Sequence, residues 1–243
     1  MNVESGESDL LFPINRRLIA QARALDVDLG RGTEIEGLLE RREGVCLYML
    51  ARWGGRLGGV VEIGSWKGRS TWYLARGLAD SGSRHRVFAI DPHLEGTQEA
   101  FLQTLDATEI RDRVEPRFAA AQEVRDVPGS IGLLWIDGDH SYKAVRRDFE
   151  QWFPLLATGG WIAFHDTVNR WYGPTRLVRR LLLTRSDLRS VGVIGTVTFA
   201  CKAPPSALNR IRCLAARLAV ELITGAWGLR TGFGPTEKMP NER

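Results

Sequence analysis

The sequence has little cysteine and no long apolar run, and both features limit the classes of protein to which the chain can belong. Only three of its 243 residues are cysteines, Cys46, Cys201 and Cys213, and their spacing fits neither a metal-binding pattern nor paired disulfides. With no signal peptide in the sequence, we expect reduced thiols and a cytoplasmic location. Charged residues interrupt every hydrophobic stretch, so we expect no transmembrane segment. The shares of hydrophobic residues, 44%, and of charged residues, 26%, exclude disordered and fibrous classes.

A charge excess is also missing from most of the chain. The net charge is +4, and residues 201–243 carry seven lysines and arginines against three acids, which leaves 26 of each sign in residues 1–200. An enzyme acting on nucleic acid is expected to show a basic stripe near its active site. The sequence shows none there, so we do not expect nucleic acid as a substrate.

Short apolar runs alternate with helix-forming segments from residue 59 onward, which is typical of βαβ units. The predicted strands are residues 59–64, 86–91, 113–118, 131–137 and 161–166, followed by a hairpin of 188–194 and 196–202. The predicted helices are residues 68–80, 97–107, 119–125, 141–152 and 174–184. Uniformly apolar strands are buried on both faces. We therefore predict an α/β, Rossmann-like, mostly parallel seven-stranded sheet with helices on both faces and a C-terminal β-hairpin.

The chain divides into three predicted segments. Residues 1–32 are irregular apart from a short helical possibility, residues 33–203 form the core domain with an N-terminal helical cap, and residues 204–243 form a basic helix and tail. In the cap, Thr33-Glu34-x-Glu36 predicts a helix start, and Gly44 is expected to interrupt that helix.

The C-terminal segment predicts an amphipathic helix over residues 206–229. Its large apolar residues share one stripe, formed by Leu208, Ile211, Leu214, Ala215, Leu218 and Leu222. This helix can dock on the core domain, pair with a second copy in a homo-oligomer, or lie on an anionic membrane surface as a peripheral contact.

The segment from Val60 to Thr71 ends an apolar strand with an acid and two glycines where a helix begins. Glycine has no Cβ to keep a ligand from the backbone, and the first helical turn presents free N–H groups. The carboxylate of Glu62 would repel a pyrophosphate but suits a cationic or zwitterionic ligand such as S-adenosylmethionine. A glycine-containing turn without a ligand is the alternative. The residues predicted to bind this cofactor are Glu62, Gly64, Ser65, Gly68, Ser70 and Thr71.

A second acid, Asp91, ends the next predicted strand in the sequence Asp91-Pro92-His93. Ligands of open parallel sheets bind beyond the carboxyl ends of the strands. The two oxygens of Asp91 can therefore accept hydrogen bonds from both ribose hydroxyls of an adenosyl group. A capping role for Asp91 is the alternative, and His93 is as well interpreted as a bystander as a participant.

Two further strand ends carry acids and histidines. Asp137 and His140 follow the fourth predicted strand, and His165 and Asp166 close the fifth. We expect the four side chains to converge beside the cofactor, with Asp137 and His140 also contacting it. Such a group can hold a divalent metal or act as an acid–base pair. Helix capping and structural hydrogen bonds are the alternatives.

On these motifs, residues 35–203 resemble the class I methyltransferases of the family-24 type, related to macrolide-sugar O-methyltransferases and to cephalosporin hydroxylase. In metal-dependent relatives, an acid matching Asp137 and two consecutive acids at the next strand end bind magnesium. Here the second set is His165-Asp166, which implies magnesium or a softer ion. The resemblance also implies a catalytic histidine three residues after the first metal acid, where His140 stands.

The resemblance implies a methyltransferase (EC 2.1.1 type) that uses S-adenosylmethionine to methylate an oxygen of a small hydroxylated acceptor, such as a sugar or secondary metabolite. His140, as a neutral imidazole with a pKa near 6.5, would remove the hydroxyl proton, with Asp137 as its catalytic partner. Trp171 and Tyr172 are candidate contacts for a flat acceptor ring or for packing. A same-fold enzyme diverted to another reaction, such as hydroxylation, and a non-catalytic cofactor-binding protein are the alternatives.

Overall fold

A computed structural model describes residues 12–25, 27–126, 129–169 and 172–231. One seven-stranded sheet has the order β3-β2-β1-β4-β5-β7-β6. Strands β1 to β5 are parallel, and β7 runs antiparallel to both β5 and β6. The predicted fold class is thereby confirmed. The strands are β1 Gly59–Ile63, β2 Val87–Ile90, β3 Val114–Arg117, β4 Ile131–Ile136, β5 Leu156–Phe164, β6 Leu188–Ile194 and β7 Val197–Lys202.

Eight α-helices accompany the sheet in the part of the chain that the structure describes. They are α1 Pro13–Ala24, α2 Arg31–Glu34, α3 Arg41–Gly54, α4 Arg69–Asp80, α5 Gln98–Ala107, α6 Tyr142–Trp152, α7 Gly173–Thr184 and α8 Ala207–Thr231. None of the helices in these ranges is long and apolar enough to cross a membrane. Cys46, Cys201 and Cys213 are all buried, and none forms a disulfide.

The two faces of the sheet are covered by two separate apolar layers. Consecutive residues of a strand point to opposite faces, so Val60 joins the layer under α3 and α4 while Val61 joins the layer under α6, α7 and α8. Trp135 and Ile136 of β4 divide between the layers in the same way. Burial on both faces explains why these strands read as uniformly apolar.

Three predicted elements differ from the structure. Residues 119–125 contain a turn instead of a helix, because so short a segment gains too few backbone hydrogen bonds to offset the cost of helix nucleation. Strand β5 begins at Leu156, where it pairs with Ile131, and not at residue 161. The cap helix α3 begins at Arg41 behind a capping box of Glu40 and Glu43, so Thr33 is not its start.

The outer helix α8 packs in the opposite orientation to the one its large apolar residues suggest. It contacts α7 and β6 through its smaller side chains, among them Cys213, Ala216 and Val220, which are buried. The stripe predicted from the sequence faces outward, with Ile211 63% and Leu218 67% exposed. The helix therefore docks on the core domain, which was one of the expected alternatives, but it does so through the face opposite the predicted stripe.

Candidate functional site

Asp91 holds the turn after β1 in place. Its Oδ2 accepts hydrogen bonds from the backbone N–H groups of Ser65 at 2.9 Å and Trp66 at 2.8 Å. Its Oδ1 accepts the N–H of His93 at 2.7 Å. The carboxyl end of β2 is thereby bonded to the glycine turn, and the side chain of Asp91 keeps 16% of its surface exposed. Asp91 therefore has the capping role that was one of its two interpretations, and part of its side chain is still exposed to a ligand.

Gly64 and Gly68 both have positive φ, +87° and +91°, which favours glycine. A Cβ on Gly64 would collide with the backbone carbonyl of Asp137, and one on Gly68 would press on Phe101 and Thr104. The sequence suggested that glycine stands at these positions to leave room for a ligand, and that explanation is incomplete. Close packing of the protein against itself already requires glycine at both positions.

Glu62 lies beneath the turn with no exposed surface. Its two carboxyl oxygens accept the hydroxyls of Ser70 and Thr71, each at 2.6 Å. Burial raises the pKa of Glu62 to about 8, although both hydrogen bonds oppose the shift. The three predicted cofactor contacts thus form an internal cluster that joins β1 to the first turn of α4.

Asp137, His140 and Asp166 meet at the carboxyl edge of the sheet. Strands β4 and β5 end side by side, since the N–H of His165 donates to the carbonyl of Ile136 at 3.1 Å. His140 Nε2 lies 3.2 Å from Asp166 Oδ2 and 3.9 Å from Asp137 Oδ1. One nitrogen and two carboxylate oxygens of these residues lie within 4.8 Å of one another. The predicted convergence is therefore present.

The two carboxylates control the charge of His140. Asp137 first, and then Asp166, raises the pKa of His140 to about 10. Burial would raise the pKa of Asp137, but the charges of His165 and His140 lower it. Although the approach to Asp166 is close, Nε2 has no well-aligned hydrogen bond among the described residues, so we interpret it as an ion contact. The expectation of an imidazole with an ordinary pKa is wrong for the cation-free site.

His165 lies behind this group and contacts a carboxylate with each nitrogen. Nδ1 is 3.1 Å from Asp137 Oδ1, and Nε2 is 3.5 Å from Glu43 Oε2. Burial disfavours the charged ring, but Asp137 and then Glu43 raise the pKa of His165 well above its ordinary value. The potential metal group of Asp137 and Asp166 includes His140. His165 stays a predicted ligand, since its Nδ1 also lies 3.6 Å from Asp166 Oδ2.

Glu43 is the component that the sequence did not reveal. It is 1% exposed, and its Oε1 accepts the N–H and hydroxyl of Thr196 at 2.6 and 2.8 Å. The N–H of Glu40 donates to Oε2 at 2.8 Å. The only sequence signal was the Glu40-x-x-Glu43 spacing of a capping box, which carries no information about a contact with residues 165 and 196.

The remaining candidates have definite places. The ring of Tyr172 stacks on His140 with centroids 5.8 Å apart, whereas Trp171 lies outside the described residues. His93 Nδ1 contacts the Thr97 hydroxyl at 2.8 Å in a buried position, which favours the bystander interpretation. Asp139 accepts the N–H of Ser141 at 2.7 Å and so organises the turn that leads into α6.

Comparison with known proteins gives one family match and many similar folds. Residues 61–167 match the family model described as a methyltransferase domain. An uncharacterized protein of Sinorhizobium fredii is 30% identical over 129 residues, which are 47% of this chain but only 14% of that relative. This chain therefore spans a small part of that relative's length.

Two solved structures illustrate the fold similarity. The O-methyltransferase TomG of Streptomyces achromogenes, involved in tomaymycin synthesis and solved with S-adenosylmethionine, is 21% identical with a TM-score of 0.57, covering 81% of this chain and 93% of its own. An O-methyltransferase of Bacillus cereus solved with S-adenosylhomocysteine is 20% identical with a TM-score of 0.53, covering 80% and 94%. At these identities the likeness establishes the fold.

Proposed function

We propose that the chain is a class I methyltransferase of the family-24 type, in keeping with the match of residues 61–167 to a methyltransferase domain. It would transfer the methyl group of S-adenosylmethionine to a hydroxyl oxygen of a small acceptor. The observation that carries the proposal is the convergence of Asp137, His140 and Asp166 beside the glycine turn. Cofactor turn and acid–base group then share one edge of the sheet, as transfer between two bound molecules requires.

We assign the cofactor to the edge formed by β1, β2 and β4. The partly exposed Asp91 would accept the ribose hydroxyls, and the turn of Gly64, Ser65 and Gly68 would face the methionine part. Glu62 would act from below through Ser70 and Thr71, because it has no surface to offer a ligand. Two structural neighbours bound to S-adenosylmethionine or S-adenosylhomocysteine support this choice of cofactor.

The group Asp137, His140 and Asp166 also fits a divalent cation. Its donors are two carboxylates and one imidazole, a set that accommodates magnesium or a softer ion. The lack of an aligned partner for the buried His140 Nε2 agrees with a site completed by a ligand. A bound cation would bring the acceptor oxygen near the methyl group and lower the pKa of its hydroxyl.

The side chains themselves carry out positioning and proton transfer. Methyl transfer is an in-line displacement, so the acceptor oxygen must be aligned with the methyl carbon and the sulfur. A cation held by the carboxylates of Asp137 and Asp166 would leave Nε2 of His140 available to accept the hydroxyl proton, and we assign His140 as that base. Asp137 and Asp166 favour the resulting imidazolium, as the raised pKa of His140 indicates. The stacked Tyr172 ring would restrict the orientation of the imidazole.

The test is formation of S-adenosylhomocysteine by the full chain with a panel of hydroxylated metabolites, followed by mass spectrometry of the acceptor. A mass increase of one methyl group on an oxygen supports the proposal. Binding of S-adenosylmethionine without turnover across the panel would favour the non-catalytic alternative. Oxygen insertion without release of S-adenosylhomocysteine would favour the diverted, hydroxylase-like alternative.

A further inference from the structure

The outward face of α8 is apolar, which is unusual for a helix on the surface of a domain. Its described side chains point in two opposite directions, with Cys213, Ala216 and Val220 buried. The large aliphatic side chains lie on the opposite side. The exposed ones are Leu208 at 54%, Ile211 at 63%, Leu214 at 38%, Leu218 at 67% and Leu222 at 71%.

Positive charge surrounds this apolar stripe. The described side chains of α7 and of α8 up to residue 225 include one acid, Glu221, which lies 2.5 Å from Arg179 Nε and 3.6 Å from Arg217 Nε. The same side chains include six arginines, so the two helices are strongly basic, and three of these arginines are on the helix that bears the stripe. These arginines are Arg176, Arg179, Arg180, Arg210, Arg212 and Arg217.

We propose that the α7–α8 face is a peripheral membrane-binding surface that takes an anionic lipid bilayer. An amphipathic helix with Leu and Ile on one side and arginine along its borders lies in the interface of such a bilayer. The aliphatic stripe would enter the boundary between headgroups and acyl chains. The arginines would contact the anionic headgroups, each adding electrostatic attraction that salt screens.

The charge distribution favours lipid over the other possible occupants. If two copies paired through this face, Arg210, Arg212 and Arg217 of each α8 would be brought together with a single acid apiece, which is repulsive. A nucleic acid would match the arginines but would leave Ile211, Leu218 and Leu222 against phosphates and sugars. An anionic bilayer is complementary to both parts of the face.

The experiment is co-sedimentation of the full chain with phosphatidylcholine vesicles, with and without about one third phosphatidylserine. Wild type should bind the anionic vesicles and be released as salt approaches about 1 M. Ile211→Ser combined with Leu218→Ser should weaken binding about tenfold or more. The matched control is Leu38→Ser with Leu94→Ser, which removes two side chains that are 79% and 90% exposed elsewhere.

Two charge-reversal variants, one at the stripe and one far from it, complete the test. Arg212→Glu, on the border of the stripe, should lower vesicle affinity about tenfold, whereas Arg84→Glu at an exposed position in another part of the chain should not. Failure of wild type to bind anionic vesicles, or equal binding by the stripe and control variants, overturns the proposal. A dimer in sedimentation equilibrium that only the stripe variant dissociates, without vesicle binding, would reassign the face to pairing between copies.

Discussion

Glu43 and His165 form a buried contact, with Oε2 of the carboxylate 3.5 Å from Nε2 of the imidazole. Glu43 stands in the first turn of α3, whereas His165 follows β5. Because the other nitrogen of His165 faces Asp137, the contact connects the N-terminal cap to the acid–base group. The helical cap is thus part of what determines the position of Asp137.

Glu43→Gln should destabilise the fold by about 2–4 kcal/mol, because it leaves the His165 charge with one carboxylate fewer in a buried position. The folded pKa of Glu43 is lowered from 4.5 and that of His165 is raised well above 6.5. The pair therefore contributes fully to the free energy of unfolding at pH values between these two ordinary pKa values. The contribution is lost as pH falls through the folded pKa of Glu43 or rises through the folded pKa of His165. Urea unfolding near pH 6 measures the loss.

The control for this prediction is Glu34→Gln, which changes an exposed acid in the same N-terminal region and should alter stability by less than about 0.5 kcal/mol. If Glu43→Gln were as stable as the control at every pH, the Glu43–His165 contact would contribute nothing to the fold.

Glu62→Gln should change how stability depends on pH. The folded protein holds the Glu62 proton up to about pH 8, whereas the ordinary value is 4.5. Raising the pH between these values therefore favours the unfolded state of wild type. The variant has no such proton, so relative to wild type it should gain about 2–4 kcal/mol between pH 5 and pH 8. Urea unfolding at both pH values checks this, and parallel pH profiles would contradict it.

The ends of β2 and β4 could be predicted from the sequence because both strands are continuous in apolar residues and stop before their first acid. Asp91 and Asp137 mark such ends directly. Because the strands are parallel, the two ends lie at the same edge of the sheet. The start of β5 was misplaced because Gly159 and Gly160 resemble a loop although they lie within the strand.

Contacts between distant segments could not be predicted in the same way. Glu43 and Thr196 are 153 residues apart, and no local pattern reports such a pairing. The orientation of α8 was missed for another reason. Hydrophobic periodicity identifies an apolar stripe such as that of Ile211 and Leu218, but the smaller Cys213 and Ala216 side chains permit closer packing on α7 and β6.

Asp91→Ala should weaken binding of S-adenosylmethionine by about 1–3 kcal/mol, through loss of charged hydrogen bonds to the ribose and loosening of the Ser65–Trp66 turn. Calorimetry on wild type should give a micromolar dissociation constant, which corresponds to a binding free energy on the order of −8 kcal/mol. Asp106→Ala, which removes a carboxylate whose side chain is 66% exposed, is the control. Unchanged affinity in the Asp91 variant would remove this residue from the cofactor site.

A divalent cation should raise the thermal unfolding temperature of wild type, because a ligand bound only by the folded state stabilises it. Asp137→Asn should abolish the shift, whereas Asp139→Asn, two residues away and exposed, should retain it. Since ligands must be deprotonated, the cation effect should weaken at low pH. Full methyl transfer after exhaustive chelation would exclude the cation from the reaction. Because the pKa of His140 is about 10 without a cation, that result would also contradict His140 as the base at neutral pH.

His140→Gln should bind S-adenosylmethionine as wild type does yet lose roughly 10²–10⁴ in turnover, because glutamine cannot accept the hydroxyl proton. His85→Gln, at an exposed position, is the matched control and should keep full activity.

In the cation-free protein, NMR titration of the His140 ring should give a pKa near 10, so that the imidazole is protonated at neutral pH. A divalent cation competing for Asp137 and Asp166 should lower that pKa, since it removes the negative charge that retains the proton. Turnover should then extend to lower pH in the presence of the cation. If His140→Gln kept most of its turnover, His140 would serve to position Asp166, and the base would have to be another group.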